Sequence, residues 1–93
     1  IEFGTVATID ITASSGSINA NSAASSGTSL TSSATSGAIT FENSLGALEI
    51  ASLTAGGASS LTASGAITQT GPISNNGQTI TLASGFAICI PIE

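Results

Sequence analysis

Apolar residues stand at alternate positions in short runs along this chain, and each run is closed by glycine, serine or asparagine. Val6, Thr8 and Asp10 interleave with Ala7, Ile9 and Ile11, which predicts a strand with one buried face, and Glu2-Phe3-Gly4-Thr5 before it reads as a native strand start. Residues 14–16 turn the chain, 17–21 read as a short strand, and 22–27 as a loop of small residues without periodicity. The cycle restarts at Ser29-Leu30-Thr31, turns through Ser36-Gly37, and continues as a strand over 38–41 that Glu42-Asn43-Ser44 closes. Leu45, Leu48 and the residues to Leu53 have the spacing of one helical turn. Gly46 and the β-branched Ile50 and Thr54 favour a strand over 48–53 instead. Ala55-Gly56-Gly57-Ala58 predicts a turn, Gly71-Pro72 a break, and Asn75-Asn76-Gly77 a type I′ or left-handed turn before the alternating stretch 78–82. Pro91, among apolar residues in 87–92, suits an edge strand or a terminal strand leaving the sheet.

Leu61-Thr62-Ala63-Ser64-Gly65-Ala66-Ile67-Thr68-Gln69-Thr70 is the best-formed copy of a motif that recurs around Gly16, Gly37 and Gly85. Large apolar residues also keep a common beat. Ile9 to Leu30, Ile18 to Ile39, Leu61 to Leu82 and Ile67 to Ile88 are each separated by 21, Ile39 to Leu61 by 22 and Leu53 to Ile73 by 20. Gly16, Gly37, Gly57 and Gly77 follow at 21, 20 and 20, so the period does not depend on one residue class. A repeat of this length, made of short strands and turns, predicts an all-β parallel β-solenoid of four to five coils in a single domain, 1–93. Inward positions are then Ile9, Ile11, Ile18, Leu30, Ile39, Phe41, Ile50, Leu53, Leu61, Ile67, Ile80, Leu82 and Ile88, with Ile18, Ile39 and Leu61 stacked in adjacent strands.

Composition narrows the chemistry. Only 22 of the 93 residues are Ile, Leu, Val or Phe, a thin core for a chain this short, so an isolated monomer is expected to be barely stable. Disorder would require high charge as well, and here 5% of residues are charged. The chain has no Lys, Arg or His, and its net charge of −5 comes from Glu2, Asp10, Glu42, Glu49 and Glu93. Without cations it has nothing to neutralise phosphates, so neither nucleic acid nor an anionic membrane surface is an expected partner. The usual general bases and Schiff-base nucleophiles are also missing, so no enzyme activity, catalytic residue or cofactor is expected.

Cys89 is the single cysteine and is expected to be a free, buried thiol, since Ile88 and Ile90 flank it. No Cys/His cluster suggests a metal, and no glycine-aspartate repeat of the calcium-binding solenoid type is present. The longest apolar run, 86–90, is too short to span a bilayer, so membrane insertion is not expected. A chain opening on Ile1 rather than Met is expected to be a processed or excised piece.

Leu61-Thr62-Ala63-Ser64-Gly65-Ala66-Ile67 and Thr79-Ile80-Thr81-Leu82-Ala83-Ser84-Gly85 resemble the coils of filamentous-haemagglutinin-type exoproteins, the large secreted adhesins of two-partner secretion. The resemblance covers about residues 5–88 and implies a right-handed parallel β-helix and a secreted or cell-surface location. It also implies a structural role in an adhesin shaft or surface fibre, with host or surface glycans as partners. Two features depart from that family: the complete absence of Lys and Arg, and the apolar tail 86–92. They leave open a small pilin-like filament subunit, an antiparallel β-sandwich that polymerises by strand addition. Thr68-Gln69-Thr70 and Thr79-Ile80-Thr81 raise a third reading, a threonine-lined face for ice or polysaccharide. Both ends of the chain are apolar and lack the lysines that blunt sheet edges. Ile1, Phe3, Val6, Ile88, Ile90 and Ile92 are therefore the candidate self-association residues, and copies of the chain itself the first expected partner.

Overall fold

A computed structural model describes residues 2–86, 88 and 89, the last by its backbone alone. The described residues form ten strands and no helix: β1 Thr8–Ala13, β2 Ile18–Ser22, β3 Thr28–Ala34, β4 Ile39–Asn43, β5 Leu48–Ala55, β6 Ser59–Ala63, β7 Ile67–Gln69, β8 Ile73–Ser74, β9 Ile80–Ser84 and β10 Ile88–Cys89. Every strand pairing is parallel. One sheet runs β1-β3-β5-β7-β10, with β8 also on β5, and the other runs β2-β4-β6-β9. Each coil thus contributes one strand to each sheet and lies beside the same strand of the next coil. The chain is a parallel β-solenoid of about four coils, and the antiparallel sandwich is set aside.

Register follows the sequence period at most positions. Ile9 lies against Leu30, Ile18 against Ile39, Leu61 against Leu82, Leu53 against Ile73 and Ile67 against Ile88. One expected contact is different. Leu61 faces Phe41, twenty residues earlier, and not Ile39, so the inward column is Ala20, Phe41, Leu61, Leu82. A side-chain period of two lets either partner keep Leu61 inward, and corner length chooses between them.

The buried set contains Ile9, Ile18, Leu30, Ile39, Phe41, Ile50, Leu53, Leu61 and Ile67 as expected. It also contains Leu48, the step in the column Thr28, Leu48, Ile67, Ile88. Ile11, Ile80 and Leu82 are only half-buried and Ile88 is 45% exposed, which corrects their assignment to a closed interior. Position contributes: a residue in the first or last coil has a stacked neighbour on one side only, whereas Leu30 and Phe41 have one on each, although Ile9 in the first coil is buried all the same.

The helix-like spacing of Ile50 and Leu53 has a β-sheet cause. Register slips between Leu30 and Thr31, which face Ile50 and Ser52, so Ala51 is an extra residue in β5 and both Ile50 and Leu53 point inward. The bulge carries into the next coil, where the strand opposite β5 is broken into β7 and β8 by Thr70-Gly71-Pro72. A Cβ at Gly71 would lie 1.7 Å from the Ala51 carbonyl oxygen, so only glycine fits over the bulge.

The repeated motif marks corners of the coil, not one place in it. Ser36-Gly37-Ala38-Ile39 leads from the first sheet to the second, while Ser64-Gly65-Ala66-Ile67 leads back. At both corners backbone stacks on backbone: Gly56 and Gly57 donate to the Gly37 oxygen at 3.1 Å, and Gly65 donates to Gly46 at 2.9 Å. A Cβ at Gly37 would sit 2.3 Å from the Gly16 carbonyl oxygen. The turn over 75–78 has Asn76 at φ 56 and Gly77 at φ 73, closed by Gln78 N–H to the Asn75 oxygen at 3.0 Å, as a type I′ turn requires.

Candidate association ends

Coils of small residues need polar side chains to hold their corners, and the inward position that ends each strand of the second sheet supplies them. The column there reads Ser22, Asn43, Ala63, Ser84. Asn43 is fully buried. Its Oδ1 accepts from Ala24 N–H at 3.0 Å, and its Nδ2 donates to the Ala24 oxygen at 3.2 Å and the Ala47 oxygen at 2.7 Å, so one amide ties the corners of two successive coils together. Ser84 has the same task one end along, donating to the Gly65 oxygen at 2.7 Å and accepting from Phe86 N–H at 3.1 Å. Thr28 donates its hydroxyl proton to the Val6 oxygen at 2.9 Å, so in its 3.0 Å contact with Ser22 the Ser22 hydroxyl is the donor. Sequence reasoning treated Asn43 only as part of a closing turn. Its place just before Ser-Leu-Gly was the available signal.

The outward faces carry columns of polar side chains, mostly short hydroxyls, with Glu49 in one and Asn19 in another. On the first sheet these are Thr8, Ser29, Glu49, Thr68 and Thr12, Ser33, Thr54, Ser74; on the second, Asn19, Thr40, Ser60, Thr81. Thr68 and Thr81 therefore face away from each other on different sheets. A shallow groove of about 360 Å³ beside the corner at 26–27 is lined by Ser26, Thr28, Ser29, Thr68 and Glu49 together with Ala7 and Ala47. Among the described residues no three His, Cys, Asp or Glu side chains come together as metal ligands. No described helix is long and apolar enough to cross a membrane.

The two ends of the stack differ in shape. At the start, Glu2 bridges to Asn21, Phe3 N–H donates to the Asn21 oxygen and Ala23 N–H to the Gly4 oxygen, both at 2.8 Å, so a half-strand of the second sheet lies over β2. β1 has no described strand on its outer edge. At the other end the arrangement is reversed: β10 lies over β7 in the first sheet, and β9 in the second has no described strand on its outer edge. Of the expected association residues, Phe3 and Val6 are half-buried and pack against the chain's own core, and Ile88 is exposed on β10. Ile1, Ile90, Ile92 and the Cys89 thiol lie outside the described residues. Phe86, 81% exposed, adds apolar surface at the same end as Ile88.

In β9 the Thr79 oxygen accepts from Ser59 and Gly85 N–H donates to Ala63, so the odd-numbered residues bond to β6. Alternation in a parallel ladder then points the N–H and C=O of Ile80 and Leu82 outward along the open edge. No charged residue and no proline stands between 73 and 90, so neither charge nor proline in that stretch blunts the edge. Compared with protein-family models, curated proteins and solved structures, the chain matches none.

Proposed function

We propose that the chain is structural and not catalytic: a length of rod in an extracellular adhesin shaft or surface fibre, self-associating end to end. The observation that carries this reading is the open, uncharged edge of β9 at the end of a stack in which every strand already pairs in parallel with the next coil. A stack whose last strand, β9, has no described strand on its outer edge and leaves Ile80 and Leu82 half-exposed gains hydrogen bonds and buries apolar surface when another strand continues it. The hydroxyl columns give the sides of the rod a surface that host or surface glycans can hydrogen-bond.

Negative-stain imaging and sedimentation at neutral pH test the reading. Rods or multimers that grow with concentration are expected, and deletion of 88–93 should abolish them. A stable, folded monomer at high concentration would overturn it. A filament subunit and a shaft segment differ in gene length: the first is encoded at about this size, the second inside a reading frame many times longer.

A further inference from the structure

The two ends of the solenoid are complementary steps, and we infer that a second copy of this chain stacks head to tail on the first, its Glu2–Gly4 half-strand seated on the open edge of β9. At the last coil the first sheet projects by one strand, β10, while the second stops at β9. At the first coil the second sheet projects by the half-strand at Glu2–Gly4, while the first stops at β1. Placed in sequence, each projection fills the other copy's recess: β10 meets β1 of the next copy in the first sheet as Glu2–Gly4 meets β9 in the second. Two last coils brought together would oppose projection to projection on the first sheet and hold the β9 edges apart. Two first coils would do the same on the second sheet. Shape therefore selects a heterologous contact, the kind that repeats indefinitely.

The chain's own columns set the register. Asn21 pairs with Glu42, Glu42 with Thr62 and Thr62 with Ala83, while Glu2 bridges to Asn21 on the other side. The next copy's Glu2 accordingly falls opposite Ala83 and its Phe3 opposite Ser84. In the first sheet Thr8, Ser29, Glu49, Thr68 and Cys89 form one column, so Cys89 meets the next copy's Thr8. Residues 79–86 carry no charge, so Glu2 enters beside no like charge on the strand it joins.

This contact rests on the rod reading, and its test separates the two. In a Cys89→Ser background, the double variant Glu2→Cys/Ala83→Cys is oxidised and run on a non-reducing gel, with the unaltered chain sedimented in parallel. Within one copy the two positions are four strand spacings apart, about 19 Å, far beyond the reach of a disulfide. Across the contact they are about 5 Å apart and within reach. The expected result is a ladder extending past the dimer for the double variant and none for either single variant. A dimer from Ala83→Cys alone would show a tail-to-tail contact and overturn the inference. Rods formed by the unaltered chain without a ladder from a folded double variant would overturn this register and leave the rod reading intact. A ladder that stops at short oligomers, with no large species in the sedimentation of the unaltered chain, would keep the register and remove the fibre. A monomer in both assays removes the contact altogether.

Discussion

Replacing Asn43 with alanine removes a fully buried side chain that holds two corners of the solenoid at once. Ala24 N–H loses its 3.0 Å partner and has no other among the described bonds, whereas the Ala24 oxygen keeps Gly27 N–H at 3.0 Å and the Ala47 oxygen keeps Thr28 N–H at 3.0 Å. Leu45 N–H also loses its 3.5 Å contact with Oδ1, but it belongs to an exposed residue that water can reach. One orphaned buried donor costs about 1–3 kcal/mol, and two lost hydrogen bonds to carbonyls that keep a partner cost about 0.5–1.5 kcal/mol each. Partial relaxation of the site offsets some of this, leaving a loss of about 3 kcal/mol, a large share of the roughly 5–14 kcal/mol expected for a chain of 93 residues. Asn43→Asp separates hydrogen bonding from packing. It keeps an acceptor for Ala24 N–H but turns a carboxylate oxygen toward two carbonyls at a fully buried site. Burial and those carbonyls raise the folded-state pKa of the new acid above its unfolded value of about 3.9. The destabilisation is therefore full above the folded pKa and is relieved as pH falls through it. Urea unfolding followed by far-ultraviolet circular dichroism, at pH 7 and at pH 4, measures both variants, since the chain has no Trp or Tyr for fluorescence. An alanine variant within about 1 kcal/mol of the parent, or an aspartate variant indifferent to pH, would refute the assignment of Asn43 as the corner tie.

Gly37→Ala should lower stability by more than about 2 kcal/mol, because the new Cβ would meet backbone of the coil below, which cannot swing aside. Gly77→Ala, at φ 73 with nothing within 4 Å, should cost only about 1 kcal/mol; equal urea midpoints for the two would contradict the stacked corner. Ser32 is 2% exposed between Ile11 and Leu53, and its hydroxyl has no hydrogen-bond partner among the described residues. Ser32→Ala should therefore be neutral or stabilising by up to about 1 kcal/mol in the same titration, and a clear loss would mean that the hydroxyl is bonded.

The architecture was legible in the chain because a stacked fold repeats one environment, and repetition leaves a period. Ile9 with Leu30, Ile18 with Ile39 and Ile67 with Ile88 could be paired by counting alone. Local chemistry was readable too: Asn75-Asn76-Gly77 adopts positive φ because few other residues tolerate it. Counting failed where corner length or backbone geometry intervened. The step from Phe41 to Leu61, not from Ile39, depends on how many residues a corner takes up, and the inward pair Ile50 and Leu53 depends on the bulge at Ala51. A period of two cannot report either. Only the stacked coils bring Ala24 and Ala47 to the amide of Asn43, because those contacts join residues of different coils. The complementary steps at the two ends were decided the same way. Apolar residues at both termini were visible in the chain, but which sheet projects at each end depends on where in the coil the strands begin and stop, and that is set by three-dimensional pairing.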